Sequence, residues 1–296
     1  MSLKYSPYVR PLRTVKSILL PNKEKGFSTR NFSYLKQVLR NKKNSILFSS
    51  YPASGWNWTA DVLGYALGKH LTGEYNITYV DAQTLKKAEV KPFHLVYAAD
   101  ARASHQPSLK EQLPNTDIGV DYCYHTHGYW GESPLWGLDQ AKTVMVVRDL
   151  PTSLFSQYSK RRSKYDSFEE FLDSENGIEK MVRFYNSWGD FVYNKSHKPV
   201  KIVTYESMRE DATQVFKDLA KFCFDLDISD EIINEALDYY SFEKQKEREK
   251  IYNKDEKQHF HYKGKKSYRD EMNAETYGYI VDQIKNNIKY TFGYEY

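Results

Sequence analysis

Three short clusters of side chains in this 296-residue chain have types and spacings suited to anion chemistry and proton transfer. The first is Ser50-Tyr51-Pro52-Ala53-Ser54-Gly55, followed by Trp56-Asn57-Trp58. Where a strand turns sharply into a helix, free backbone N–H groups and the positive end of the helix dipole make a ready site for phosphate or sulfate. Gly55 permits close backbone approach and Ser54 adds a hydroxyl donor. No Gly-Lys-Ser/Thr follows, so the lysine and the magnesium-binding hydroxyl of a Walker A loop are missing. The second cluster pairs Arg148 with Ser156 eight residues on. An arginine at a strand end can fork two phosphate oxygens, and a serine one turn or so into a helix can donate to the same group. The alternative is an arginine paired with Asp149 and an ordinary helix serine. The third is His125-Thr126-His127-Gly128. A neutral imidazole near pH 7 suits the removal of a proton from a hydroxyl or amine. With no third ligand at a suitable local spacing, the two histidines do not read as a metal site.

These side chains need particular elements to hold them. Ser45–Ser50 is a short apolar run bounded by Asn44 and by Pro52 and Gly55, which reads as a buried strand. A helix follows from about Asn57, with Val62/Ala66 and Leu63/Leu67 at i,i+4 spacing. Further strands are expected at Phe93–Ala99, Tyr122–His127, Thr143–Val147 and Val200–Tyr205. Pro151 suits a helix start just after the Arg148 strand end. Helices are expected over Met181–Val192, around Val215–Cys223 and over Ala274–Ile288. Glu243–Lys257 alternates basic and acidic residues, as a solvated helix face does. Strands alternating with helices predict an α/β fold: a single domain over residues 44–296, preceded by an irregular arm over 1–43. Its centre is a mostly parallel sheet flanked by helices, with a P-loop-like nucleotide-binding core.

Together the clusters resemble the sulfotransferase family that uses 3′-phosphoadenosine 5′-phosphosulfate (PAPS), of the cytosolic type. Tyr51, Pro52, Ser54, Gly55 and Trp58 fall in register with the family's 5′-phosphosulfate loop, and Arg148 and Ser156 with its 3′-phosphate motif. The resemblance implies that Ser54, Gly55 and Asn57 hold the 5′ side, and that Trp58 stacks near the adenine (its alternative is a core tryptophan). Tyr205, in Val203-Thr204-Tyr205-Glu206-Ser207-Met208, matches a tyrosine beside the adenine. Lys263 and Gly264 match part of an Arg-Lys-Gly loop on the 3′-phosphate, whose leading arginine is Tyr262 here. His127 occupies the position of the family's catalytic base, and His125 stands where a lysine is usual.

The match fails at Ala53, where the family carries a lysine or arginine on the leaving-group oxygen. Loss of such a group typically costs about 2.7–4 kcal/mol of transition-state stabilisation. The expectation is that another cation, His125, Lys265 or Lys266, substitutes. The resemblance implies sulfuryl transfer from PAPS, leaving PAP, to a hydroxyl or amine of a small-molecule or glycan acceptor. The alternative is a catalytically silent PAPS- or PAP-binding protein; a nucleotide kinase with a degenerate loop is disfavoured by the missing Lys-Ser/Thr pair.

Bulk composition is compatible with this. Lys and Arg exceed Asp and Glu by 43 to 39, a net charge of +4, too mild and too dispersed to imply nucleic acid. Cys123 and Cys223 are the only cysteines, far apart, so a disulfide framework or zinc site is not expected. The first forty residues lack the apolar core of a signal peptide and no run approaches a membrane span, so the expectation is a cytoplasmic protein without a membrane partner. The 26 tyrosines read mostly as half-buried surface.

Overall fold

The computed structural model describes residues 44–73, 97–98, 108–113, 115–130, 138–252 and 272–296. The expected N-terminal arm and the segment containing Tyr262, Lys263, Gly264, Lys265 and Lys266 lie outside the described residues. Ser45–Ser50 forms β1, buried along its whole length, and Trp56–Thr72 forms α1. Of the strand expected at 93–99, the described part is Tyr97–Ala98, β2. A single turn at Leu109–Gln112 (α2) leads to β3, Tyr122–Thr126. Next come β4, Lys142–Val147, and α3, Leu150–Arg161. The chain continues through α4 (Phe168–Asp173), α5 (Ile178–Asn194) and β5 (Val200–Thr204). It then forms α6 (Tyr205–Glu210), α7 (Ala212–Phe224), α8 (Asp230–Tyr239), α9 (Phe242–Tyr252) and α10 (Ala274–Asn287).

The five strands form one sheet in the order β2-β3-β1-β4-β5, and every described pairing is parallel. Runs such as Thr143-Val144-Met145-Val146-Val147 carry no polar alternation because both faces of this sheet are covered. On one face Ile46, Phe48, Val144 and Val146 pack with Val62, Leu63 and Ala66 of α1, Phe216 and Leu219 of α7, and Ile233 of α8. On the other, Leu47, Met145 and Val147 meet Leu150 and Leu154 of α3, Phe184 and Trp188 of α5, and Ile280 and Ile284 of α10. Burying each such side chain stabilises the fold by about 1.5–3 kcal/mol.

From β1 the chain passes to the outer strand β2, returns to set β3 beside β1, then crosses to place β4 on β1's other edge. Connections therefore diverge from the C-terminal end of β1, and in parallel α/β sheets the crevice at such a point is where ligands bind. All three sequence clusters lie there.

Two strand ends differ from the expected ones. Tyr205 opens α6 instead of closing β5, because the Thr204 hydroxyl accepts from the Ser207 amide at 3.0 Å and caps a new helix. His127 lies just past β3, which ends where the Gly128 amide donates to the Thr126 hydroxyl at 2.8 Å. Among the described residues, no helix is long and apolar enough to cross a membrane.

Candidate functional site

The loop after β1 makes its turn with two left-handed residues, Ala53 at φ 67° and Gly55 at φ 93°. The Ser54 amide donates to the Tyr51 carbonyl at 3.2 Å, which closes the turn. Gly55 is the N-cap of α1, so the first-turn amides of a 17-residue helix emerge at this point. Only glycine fits there. A Cβ would lie 2.6 Å from Cδ2 of Tyr205, in a backbone conformation L-residues rarely adopt. The Ser54 hydroxyl is fully buried and has no hydrogen-bond partner. A buried, unsatisfied donor beside free helix amides fits an anionic group of a ligand.

Arg148, at the end of β4, donates from Nη1 to the Ala53 carbonyl at 3.1 Å. Its guanidinium also sits over the Tyr205 ring, 4.2 Å from the centroid. Asp149 turns its carboxylate to α3, accepting from the Thr152 amide at 3.0 Å as that helix's N-cap. Of the two readings of the Arg148-Asp149 pair, the structure thus commits Asp149 to helix capping and Arg148 to the loop. Ser156 is buried on α3, and Lys160 follows one turn later. Desolvation by surrounding protein, then Arg148 and Arg161, holds the Lys160 ammonium below the ordinary lysine range, although the residue keeps exposed surface.

Trp58 is half-buried and presents edge-on contacts to Tyr205 and Phe216, with centroids 6.5 and 5.7 Å away. The two aromatics expected beside the purine are therefore neighbours, and Trp58 also packs against the core. Asn57 is exposed in the first turn of α1. Lys263 and Gly264 lie outside the described residues.

The histidines are joined by Ser50. His127 Nδ1 donates to the Ser50 carbonyl at 2.7 Å; a carbonyl can only accept, so this contact fixes the proton on Nδ1 and the basic lone pair on Nε2. The Ser50 hydroxyl is 2.9 Å from His125 Nε2 and 3.2 Å from His127 Nδ1. Trp56 stacks flat on His125, centroids 3.9 Å apart and planes 3° from parallel. Burial, then the neighbouring His127, holds His125 well below the usual histidine range. Burial therefore disfavours charge on the ring expected to stand in for the missing cation.

Sequence reasoning assigned no role to Ser50 or Trp56. Ser50 lay inside an apolar strand pattern, and Trp56 stands at a position the family loop leaves open. Their common signal is position, since both flank the loop that the motif marks. The far side of the site is tied down by the C-terminal segment. The Leu150 amide donates to the Tyr296 hydroxyl at 3.0 Å, the Tyr294 hydroxyl donates to Glu206, and Glu206 accepts from the Asp149 amide at 3.3 Å.

Comparison with known proteins identifies the fold and the family. The family model described as "Sulfotransferase domain" matches residues 43–292. A retinol dehydratase in complex with retinol and PAP superimposes with a TM-score of 0.56 at 18% identity, over 89% of this chain and 87% of that one. A mouse sulfotransferase complexed with PAP gives a TM-score of 0.56 at 14% identity, over 88% and 91%. Retinol dehydratase in complex with androsterone and inactive cofactor PAP gives 0.57 at 16% identity, over 90% and 88%. A search of curated proteins finds no significant match. The structures share the fold, and the family model, which spans most of the sequence, carries the assignment: this chain belongs to the sulfotransferase family.

Proposed function

We propose that the chain transfers the sulfuryl group of PAPS to a hydroxyl or amine of a small-molecule or glycan acceptor, with His127 as general base. One observation carries this reading: Ser50, at the head of the anion loop, fixes the His127 tautomer through its carbonyl. The base is thereby held by the first residue of the anion loop.

When bound, PAPS supplies the activated sulfuryl group and a phosphate leaving oxygen. Ser54, the Gly55 cradle and the first-turn amides at Asn57 hold its 5′ side, where negative charge gathers. Arg148 and Ser156 hold the 3′-phosphate, together with Lys263 and Gly264, and Lys160 adds positive charge beside Arg148. Trp58 and Tyr205 flank the purine, since an aromatic face suits any base. His127 would take the acceptor's proton at Nε2 as the acceptor receives the sulfuryl group, for which PAPS would supply the phosphate leaving oxygen. His125, clamped by Trp56 and Ser50, orients His127 through the shared Ser50 hydroxyl.

The test is transfer of ³⁵S from labelled PAPS to a panel of phenols, alcohols, amines and sugars. Turnover is expected with wild type, and His127→Ala should lower it by about 10²–10⁴-fold while PAP affinity is unchanged. PAP binding with no transfer to any acceptor would overturn the catalytic reading. It would favour the second one, a silent PAP-binding protein, which rests on Ala53 in place of the loop cation.

A further inference from the structure

Among the described residues, the buried side-chain polar atoms without a hydrogen-bond partner fall within residues 49–54 and 148–161. Three of the side chains, Ser153, Gln157 and Arg161, recur at i, i+4 and i+8 on α3 and so share one helix face. Ser153 is 0% and Gln157 3% exposed. The Ser153 hydroxyl, both ends of the Gln157 amide and Nη1 of Arg161 are the atoms concerned. Across from them the buried Tyr51 hydroxyl faces Gln157 at close range without meeting hydrogen-bond geometry. Leaving a buried polar group unsatisfied costs about 1–3 kcal/mol. A face with no polar ligand to meet would be filled by aliphatic side chains, as the neighbouring Leu150 and Leu154 are.

Position and charge indicate what the face meets. Tyr51 directly follows Ser50, whose carbonyl holds the proposed base, and its phenol lies near Tyr129, so this end of the stripe adjoins the acceptor side. Ser156, the proposed 3′-phosphate ligand, is turned about 100° around the helix from Gln157 and about 140° from Arg161, while Ser153 lies nearer to it at about 60°. Lys160 and Arg161 stand together, and among the described residues no carboxylate is in ion-pair contact with either. An arginine buried at one nitrogen and lacking a carboxylate is suited to an oxyanion brought by a ligand.

Resting on the catalytic reading above, we infer that this face of α3 is an acceptor subsite selecting hydroxyl compounds that also carry an anionic group, a carboxylate or a phosphate ester. Arg161 grips the anion, and Gln157, Ser153 and Tyr51 take the adjoining oxygens.

Calorimetric titration of the full chain saturated with PAP tests this with two matched pairs of probes. These are 4-hydroxyphenylacetate against 4-hydroxyphenylacetamide, and glucose 6-phosphate against glucose. In at least one pair the acid should bind about tenfold or more tightly than its neutral partner, as expected for a hydrogen bond to a charged group. Which pair discriminates identifies the anion. Arg161→Met should abolish the preference with PAP affinity unchanged, and Arg161→Lys should retain part of it; Gln157→Met gives a second, charge-neutral variant should Arg161→Met fail to fold, and should weaken the acid's binding. Equal binding within both pairs, or a preference that survives Arg161→Met, would overturn the inference alone. A chain that fails to bind PAP would overturn the catalytic reading with it.

Discussion

Gly55→Ala and Gly73→Ala form a pair in which backbone strain is common and one contact is not. Both glycines have left-handed backbones, at φ 93° and 74°. Placing an L-residue there costs about 1–2 kcal/mol in each, offset equally by the stiffer unfolded chain. A Cβ at Gly73 meets nothing within 4 Å. At Gly55 it meets Tyr205 Cδ2 at 2.6 Å and Cε2 at 3.2 Å, so the ring must move. Such overpacking adds about 1–3 kcal/mol. The Tyr205 ring lies under the Arg148 guanidinium at 4.2 Å, and Arg148 holds the Ala53 carbonyl at 3.1 Å. Displacing the ring therefore loosens both proposed phosphate subsites. Urea denaturation should show Gly55→Ala losing roughly twice the stability lost by Gly73→Ala. Calorimetry should show PAP affinity reduced by about 2–30-fold in the first variant, the equivalent of a cation–π contact worth about 0.5–2 kcal/mol, and unchanged in the second. Equal destabilisation of the two, or wild-type PAP affinity in Gly55→Ala, would refute the coupling between loop, ring and arginine.

The His125 ring gives a pH signature. Its folded form resists protonation while the unfolded chain takes up a proton near pH 6.5, so stability should fall as pH drops below that value, by up to about 1.4 kcal/mol per pH unit from this group. Urea midpoints from pH 8 to 5 should fall less steeply in His125→Gln; identical slopes would count against the assignment. Tyr296→Phe removes the acceptor of the Leu150 amide and should lower stability by about 1 kcal/mol while weakening PAP, measured by melting with and without nucleotide. No change in either would show that the tie contributes nothing to the site.

Much of this architecture was legible because each cue was local. The uninterrupted Thr143–Val147 run marked a strand buried on both faces, and Pro151 marked the start of α3. The i,i+4 pairs after Asn57 marked α1. Among the helices that were missed, α8 and α4 escaped for opposite reasons. In α8, the buried side chains are Ile233 and Ala236, too sparse a stripe to stand out, although Ser229 accepts from the Ile232 amide as an N-cap. The six-residue α4 is too short to show periodicity, yet Ser167 and Glu170 carry the Ser-x-x-Glu start signal, with the Glu170 amide on the Ser167 hydroxyl at 3.1 Å. At the site, motif spacing placed Ser54, Gly55, Arg148 and Tyr205 around one loop. What spacing could not supply was the network joining His125, Ser50 and His127, or the stack of Trp56 on His125. Those contacts span more than 65 residues and depend on β1 and β3 pairing in the register Phe48↔His125.

The tie between Leu150 and Tyr296 spans 146 residues. During synthesis the Arg148 turn emerges from the ribosome and remains without this partner until Tyr296 follows. The centre of the sheet, formed by β3, β1 and β4, has no such dependence, since all three strands are complete by Val147. Nascent chains should therefore acquire the sheet early and the nucleotide-facing turn last, so that nucleotide is captured by a scaffold already committed to its fold.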